Sequence, residues 1–264
     1  MLKKLLKYEL SFSLRHLAIF YSIGIFFSLL TRIFLGIENS VMMDIIGKIC
    51  SGVTISMIFN ILINNVLAFW GRFKKNLYGD ESYLTHTLPV EKHTMYLSKA
   101  LTALITVFAS MAVITLTLFV AYYSKENLEI LKNLLFGVAT SFDSSVTGLI
   151  FAFLLIFFLE LANILQIGFT GIILGHKMQT NKTLLSIVFG FVSYMASQTL
   201  VFFSLLFVAL FDANLMNLFI TNNALITMES IKTVFFLSLI VYTALLFVVY
   251  FLNVKLFKQG VNVD

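Results

Sequence analysis

The 264 residues are 59% hydrophobic and only 12% charged, with a mean hydropathy of +0.97. A soluble domain carries about 45–50% apolar and about 25% charged residues, so this composition excludes a soluble fold and describes a polytopic membrane protein with little soluble mass. The net charge of +5 does not point to nucleic acid, because the basic residues sit in short loops between apolar runs, the distribution that anionic lipid and the positive-inside rule produce.

Residues 1–16 open with MLKKLLKYELSFSLR, in which Leu2, Leu6, Leu10 and Leu14 recur every four residues while Lys3, Lys4 and Lys7 lie elsewhere around the helix. That pattern fits an amphipathic helix at the cytosolic interface; a solvated extension of the first span is the alternative. The segment is too polar for a cleaved signal peptide, and the first apolar run is expected to stay as a span. Span 1 is expected over about 17–35, with Arg32 near its far end snorkelling outward or pairing with Glu38 or Asp44. Span 2 is expected over about 45–70, with Trp70 and Arg72 as interface anchors. Its single cysteine, Cys50, lies inside an apolar run; it excludes an internal disulfide framework and a cysteine-based zinc site and reads as packing.

A polar stretch over 73–98 separates spans 2 and 3. Span 3 is expected over about 99–123, ending in Tyr122-Tyr123. The loop 124–145 holds Leu128, Leu131, Leu134 and Leu135, a pattern for a short surface helix. Span 4 covers about 146–174, and a basic loop over 176–182 leads to span 5, about 184–211. The segment 212–230 is polar but dotted with Leu and Phe and fits a dip into the interface. Span 6 covers about 231–252, with Lys255 and Lys258 behind it. Each run is long enough for roughly 30 Å of hydrocarbon. Six spans place both termini on one side. Of the eighteen Lys and Arg, Arg32, Lys48, Lys125, Lys132 and Lys232 fall on the opposite side, leaving 18 − 5 = 13 with the termini. Both termini are therefore expected in the cytosol. No internal repeat or low-complexity tract divides the chain, so residues 1–264 read as a single transmembrane domain.

The stretch 73–98 is the most informative. Asp80 can cap a helix N-terminus and Glu81 favours its first turn. Tyr83, Leu84, Thr87 and Leu88 then share one side. Pro89, the sole proline, stops this helix and can occupy the first turn of the next, with Glu91 at its third position. The result is a short helix with an apolar ridge and an acidic tip. An interfacial helix seated in headgroups is the bland reading; a docking surface is the sharper one.

The run from Asn76 to Val90, NLYGDESYLTHTLPV, followed by Leu97-Ser98-Lys99, resembles a signature of membrane subunits of ABC-2-type transporters. The family pattern is close to N-L-x-x-D/E-E-G-Y-L-x-x-T-L-P-V, then L-S-K at the start of the third span. Six spans, a basic amphipathic N-terminus and both termini inside also agree, and Ile167-Gly168 in span 4 is a weaker match. The specific part covers about 25 residues. Ser82 replaces the usual Gly, and His86 stands where an apolar residue is common, which touches details of docking. The resemblance implies an all-α, six-helix ABC-2 permease (type V exporter-like) in a bacterial cell membrane. It further implies that Asp80, Glu81, Tyr83, Leu84, Thr87, Leu88 and Pro89 form a coupling helix seated in a groove of a cytosolic ATPase subunit. Glu81 would pair with a basic residue there, while Tyr83, Leu84 and Leu88 fill the groove. ATP and Mg would be bound by that partner, a second permease subunit would complete a homo- or heterodimer, and the cargo would be amphipathic peptides, lipids or drugs.

No phosphate-binding loop, zinc-protease helix or serine-hydrolase elbow occurs. The four histidines, His16, His86, His93 and His176, lack ligand spacing, so no catalytic residue, metal site or bound cofactor is expected. Within the spans, Glu160, Asn163 and Gln166 form a polar strip on one helix. Glu160 is read either as lining a transport path or binding a cationic substrate, or as a hydrogen-bonded packing residue. Asn60 and Asn64 share a face of span 2 beside Asn65 and are read mainly as interhelical hydrogen-bonding groups, with a substrate path or dimer contact as the alternative. The 29 Phe are mostly lipid-facing bulk. A proton- or ion-coupled secondary transporter using Glu160 is the competing reading, although no span contains a proline break; a non-transporting scaffold is the third.

Overall fold

The computed structural model describes residues 1–37, 40–220 and 227–259, and among them every regular element is a helix. The helices are α1 (Leu2–Leu35), α2 (Val41–Tyr78), α3 (Ser82–Thr87), α4 (Lys92–Tyr122) and α5 (Lys125–Ser141). They continue with α6 (Val146–Gly175), α7 (Lys182–Ala209), α8 (Ala213–Ile220) and α9 (Met228–Lys258). Six of them, α1, α2, α4, α6, α7 and α9, are long and apolar enough to cross a membrane, which makes this a multi-pass membrane protein. Starts are set by side-chain caps where the sequence offers them. Ser40 accepts from the Met43 amide, Ser145 from the Gly148 amide and Thr227 from the Ser230 amide, relieving amide donors that the first turn leaves unpaired.

The six spans lie where the hydropathy pattern places them, but most run past the apolar segments. The N-terminal amphipathic segment is not a separate helix: α1 is continuous from Leu2 to Leu35, an extension of the first span as in the alternative reading, but one that is only partly solvated. Nothing between Leu2 and Leu17 breaks a helix, and Glu9 and Ser13 are buried there among the apolar positions, so this turn packs against protein. The surface helix in 124–145 is present as α5, and the segment after span 5 holds α8, whose expected continuation over 221–226 lies outside the described residues.

Packing gathers the chain into two compact units, Met1–Asn133 and Leu134–Asp264. In the first, α1, α2 and α4 enclose Leu17, Ile61, Phe69, Phe73, Leu77 and Tyr96, all nearly or fully buried. Buried hydroxyls and one amide cross between these helices. Thr31 meets Thr54 at 3.1 Å, and Tyr21 meets Ser110 at 2.7 Å. Asn65 donates to the Thr106 carbonyl at 3.0 Å and to Ser110 Oγ at 2.7 Å. Of the three asparagines in span 2, Asn65 is therefore the one that bonds across to another helix. Asn60, exposed, and Asn64, half-buried, instead donate to carbonyls of their own helix, those of Ser56 and Asn60. Arg32 bonds the Tyr123 carbonyl. Asp44 is engaged by Lys48, one turn along the same helix, and Glu38 lies outside the described residues.

In the second unit α6 packs against α7 and α9. Gly171 and Gly175 on α6 face Ser186 and Gly190 on α7, a small-residue seam that lets two backbones approach in a membrane. A Cβ on Gly171 would lie 2.6 Å from the Gly190 backbone, so only glycine fits there. On the other side α6 meets α9 through amides and a hydroxyl. Thr170 donates to Asn253 Oδ1 at 2.8 Å, and Asn253 donates to the Gln166 carbonyl at 2.9 Å.

Candidate docking helix and its buried ionic tether

The short helix α3 is built by the segment that follows the long apolar α2. The chain leaves α2 at Gly79, turns with the Ser82 amide bonded to the Gly79 carbonyl at 2.9 Å, and forms a six-residue helix that ends at Thr87, two residues before Pro89. Its N-cap position is occupied by Glu81, without a side-chain cap; Asp80 lies one residue outside and is exposed, so the expected Asp80 cap does not form. Pro89 also falls outside helix. α4 begins at Lys92 with Glu91 at the N-cap position, one turn later than expected, because Leu88 and Glu91 both take extended backbone around the proline.

The apolar ridge is present and open. Tyr83 is 66% exposed, Leu84 75% and Leu88 43%, while Thr87 and Pro89 are exposed beside them. The opposite side of α3 is buried: Ser82 has no exposure, and His86 Nε2 meets the Leu77 carbonyl at 3.0 Å. The bond to a carbonyl requires Nε2 to carry the proton. The histidine that departs from the family pattern thus ties α3 to the last turn of α2. Ser82, the other departure, places its hydroxyl in a buried position without a hydrogen-bond partner.

What holds this helix to the bundle is a chain of charged and amide groups that sequence reading does not single out. Glu9 of α1 is buried and receives two cations. Arg72 Nε of α2 donates to Oε2 at 2.7 Å, and Lys99 Nζ of α4 donates to Oε1 at 2.6 Å. All three side chains are less than a tenth exposed. Arg72 also stacks on the Phe12 ring, its guanidinium carbon 3.7 Å from the ring centroid, a cation–π contact. From Lys99 the chain of contacts continues outward. With its amide oriented to satisfy both neighbours, Asn76 accepts from Lys99 Nζ at 3.1 Å and donates to Glu81 Oε2 at 2.7 Å. Lys75 closes on Glu81 Oε1 at 3.2 Å. Three spanning helices and α3 are thereby joined through Glu9, Lys99, Asn76 and Glu81.

The structure adds to three readings. Arg72, read as an interface anchor, is a buried ion-pair partner of Glu9. Lys99, read at the start of span 3, is a buried counter-ion of the same Glu9. Glu81 is engaged within its own chain by Asn76 and Lys75, though its side chain keeps 41% exposure. The signal for this cluster was available in Glu9, the sole acid among the first 37 residues, lying three and four residues from apolar Leu6, Leu5 and Phe12. Its register with Leu2, Leu6 and Leu10 did not reveal that two cations from distant segments converge on it.

The predicted polar strip of span 4 divides. Asn163 is buried and donates to the Leu159 and Tyr242 carbonyls, both at 2.9 Å, and Gln166 is buried against Asn253. Both serve helix packing. Glu160, one turn before Asn163, is half-buried and forms no hydrogen bond or ion pair among the described residues. Asn60 and Asn64 belong to the first unit, and Glu160 and Asn163 to the second.

The arrangement is an exposed apolar ridge and a partly exposed Glu81, joined by polar contacts through Asn76 and Lys99 to the buried Glu9 of α1. No family model, no curated protein and no solved structure matches this chain.

Proposed function

We propose that this chain is the membrane-spanning subunit of an ATP-binding cassette exporter of the ABC-2 type, working with separate cytosolic ATPase subunits and a second permease subunit to export amphipathic substrates. The observation that carries the reading is the pairing of an open ridge, Tyr83, Leu84 and Leu88, with a buried tether behind it. A surface helix that merely lay in headgroups would gain nothing from a desolvated Glu9–Arg72–Lys99 cluster, which is costly to bury. A helix that must transmit force needs a stiff connection to the spans, and Lys99 to Asn76 to Glu81 supplies one.

In this mechanism Leu84 and Tyr83 enter a groove of the ATPase in the cytosol, and closure of two ATPases around ATP displaces α3. Glu81 passes that displacement through Asn76 and Lys99 to α4, and through Glu9 to α1. The basic face of Lys3, Lys4 and Lys7 would rest on anionic lipid at the same leaflet.

The test is mild purification of the tagged protein from its native membrane, comparing wild type with Leu84→Asp. An ABC ATPase subunit in fixed ratio with wild type and missing from Leu84→Asp is the expected result. Glu81→Arg should lose it too, but that change also breaks the internal contacts to Asn76 and Lys75, so Leu84→Asp decides. Absence of any ATPase, under conditions that keep other transporters whole, would reject the reading and leave Glu160 as a coupling carboxylate in its place.

A further inference from the structure

Glu160 sits in the apolar stretch FFLELANIL of α6. A carboxyl group at such depth normally faces a cavity or a partner, because lipid solvates it poorly. Every other acid in the six spanning helices to which an ion pair is assigned has a named cation: Glu9 has Arg72 and Lys99, and Asp44 has Lys48. Glu160 has none among the described residues, and its neighbours are of another kind. The bond from Asn163 to the Tyr242 carbonyl fixes that part of α9 one turn from Glu160. The Tyr242 hydroxyl lies within electrostatic reach of Glu160 and of Tyr194, and it is hydrogen-bonded by Gln198 of α7. Three helices of one unit thus bring a carboxyl, two phenol rings and an amide together, and all four residues are half-buried, not sealed.

We propose that Glu160, Tyr194, Tyr242 and Gln198 form a binding site for the head group of a lipophilic organic cation. The carboxyl, which no protein cation pairs with among the described residues, supplies the charge opposite to the ligand's, and aromatic rings add the attraction that cationic head groups find at ring faces. Gln198 holds the Tyr242 ring in place. The flank is open on α7, where Phe191 and Phe202 are exposed one turn from Tyr194 and Gln198, so the apolar part of the ligand stays in contact with hydrocarbon while its charge meets Glu160. A metal ion is a poorer fit, since no group of three His, Cys, Asp or Glu gathers among the described residues. Binding at this site does not depend on the exporter reading; only its service as a stop on an export route does.

The probe is tritiated tetraphenylphosphonium, bound to the purified full-length protein in detergent, with tetraphenylborate as a competitor of the same shape and opposite charge. Saturable binding to wild type is expected, weakened about tenfold or more in Glu160→Gln and in Tyr242→Leu. Tyr242→Phe, which keeps the ring, should stay within about threefold of wild type. Equal binding by wild type and Glu160→Gln, or equal displacement by tetraphenylborate, would overturn the site. If Glu160→Gln does not fold, the Tyr194→Leu and Tyr242→Leu pair carries the test, since loss in neither also overturns it. Leu84→Asp separates the two readings: it should lose the ATPase and keep phosphonium binding. An intact ATPase complex without phosphonium binding rejects this site and leaves the exporter reading standing.

Discussion

Three spanning helices pack together in each unit, but the groups that join them differ. In the first unit α1, α2 and α4 converge at one end on ions: Glu9 between Arg72 and Lys99, all buried. In the second, α6, α7 and α9 are joined by neutral groups, with glycine against glycine at Gly171 and Gly190 and amide against hydroxyl at Asn253 and Thr170. The sole acid near the middle of a span there, Glu160, is left without an ion-pair partner among the described residues. Neutral amides and close-packed backbones each contribute modestly in lipid, so they can shift by small amounts at small cost. A buried ion triad behaves differently: its members are cheap only together, and separating them leaves an uncompensated charge. Separating the polar end of the first unit is thus expected to cost more than small shifts in the second, as the proposed coupling role of the first and the proposed ligand site of the second would require.

The largest expected effect attacks the stiff end. Glu9→Gln leaves Arg72 and Lys99 buried near one another without an anion and should cost about 3–5 kcal/mol, read as a lowered thermal unfolding midpoint of the purified protein. The triple change Glu9→Leu, Arg72→Met, Lys99→Met removes all three charges and should recover most or all of that loss. If the triple variant is as stable as wild type and, on the proposed exporter reading, still retains the ATPase expected with it yet no longer couples hydrolysis to export, stiffness and stability are separated. If Glu9→Gln unfolds no more readily than wild type, the ionic tether does not set the character of the first unit.

Next comes the seam of the second unit. Gly171→Leu forces a side chain into the Gly190 backbone and should cost about 1–3 kcal/mol or more; Gly171→Ala should show the same sign because even a Cβ lies 2.6 Å from Gly190. Gly52→Ala, on α2, has open space around its Cβ position and serves as the control that should leave the unfolding midpoint unmoved. A smaller effect is expected for the amides. Asn65→Leu in the first unit and Asn253→Leu in the second should each cost roughly 0.6 kcal/mol and at most about 1.7 kcal/mol. Similar losses in both units would confine the contrast to the ions and the glycines.

The spans were legible in the sequence because apolar runs of twenty residues report directly on hydrocarbon thickness. The ridge of α3 was legible from the spacing of Tyr83, Leu84 and Leu88. What stayed hidden depends on long-range convergence. Glu9 meets Lys99 across 90 positions and Arg72 across 63, and no local periodicity encodes such a pairing. The same limit explains Asn65 against Asn60 and Asn64: three asparagines within six residues differ only in which face of α2 meets α4. The Asp80 cap failed for a local reason, since the turn made by Gly79 starts the helix one residue later and leaves the aspartate in solvent.

Ser82 offers the smallest and sharpest test of the tether's construction. Its hydroxyl is buried without a hydrogen-bond partner, at the position where the resembling family carries glycine. A hydroxyl in that state gives up its water and gains nothing, at a cost of about 1–3 kcal/mol for a buried unsatisfied group. Ser82→Ala removes the oxygen and keeps the Cβ, so it should leave the unfolding midpoint unchanged or raise it. Ser82→Gly removes the same oxygen but frees the backbone at the first turn of α3, where glycine weakens a helix by roughly 0.5–1 kcal/mol against alanine. The order expected is therefore alanine at least as stable as serine, with glycine below alanine. A clear loss in Ser82→Ala would mean that the hydroxyl contributes to holding α3 against the bundle, and the tether would then have one more member than Glu9, Arg72, Lys99, Asn76 and Glu81.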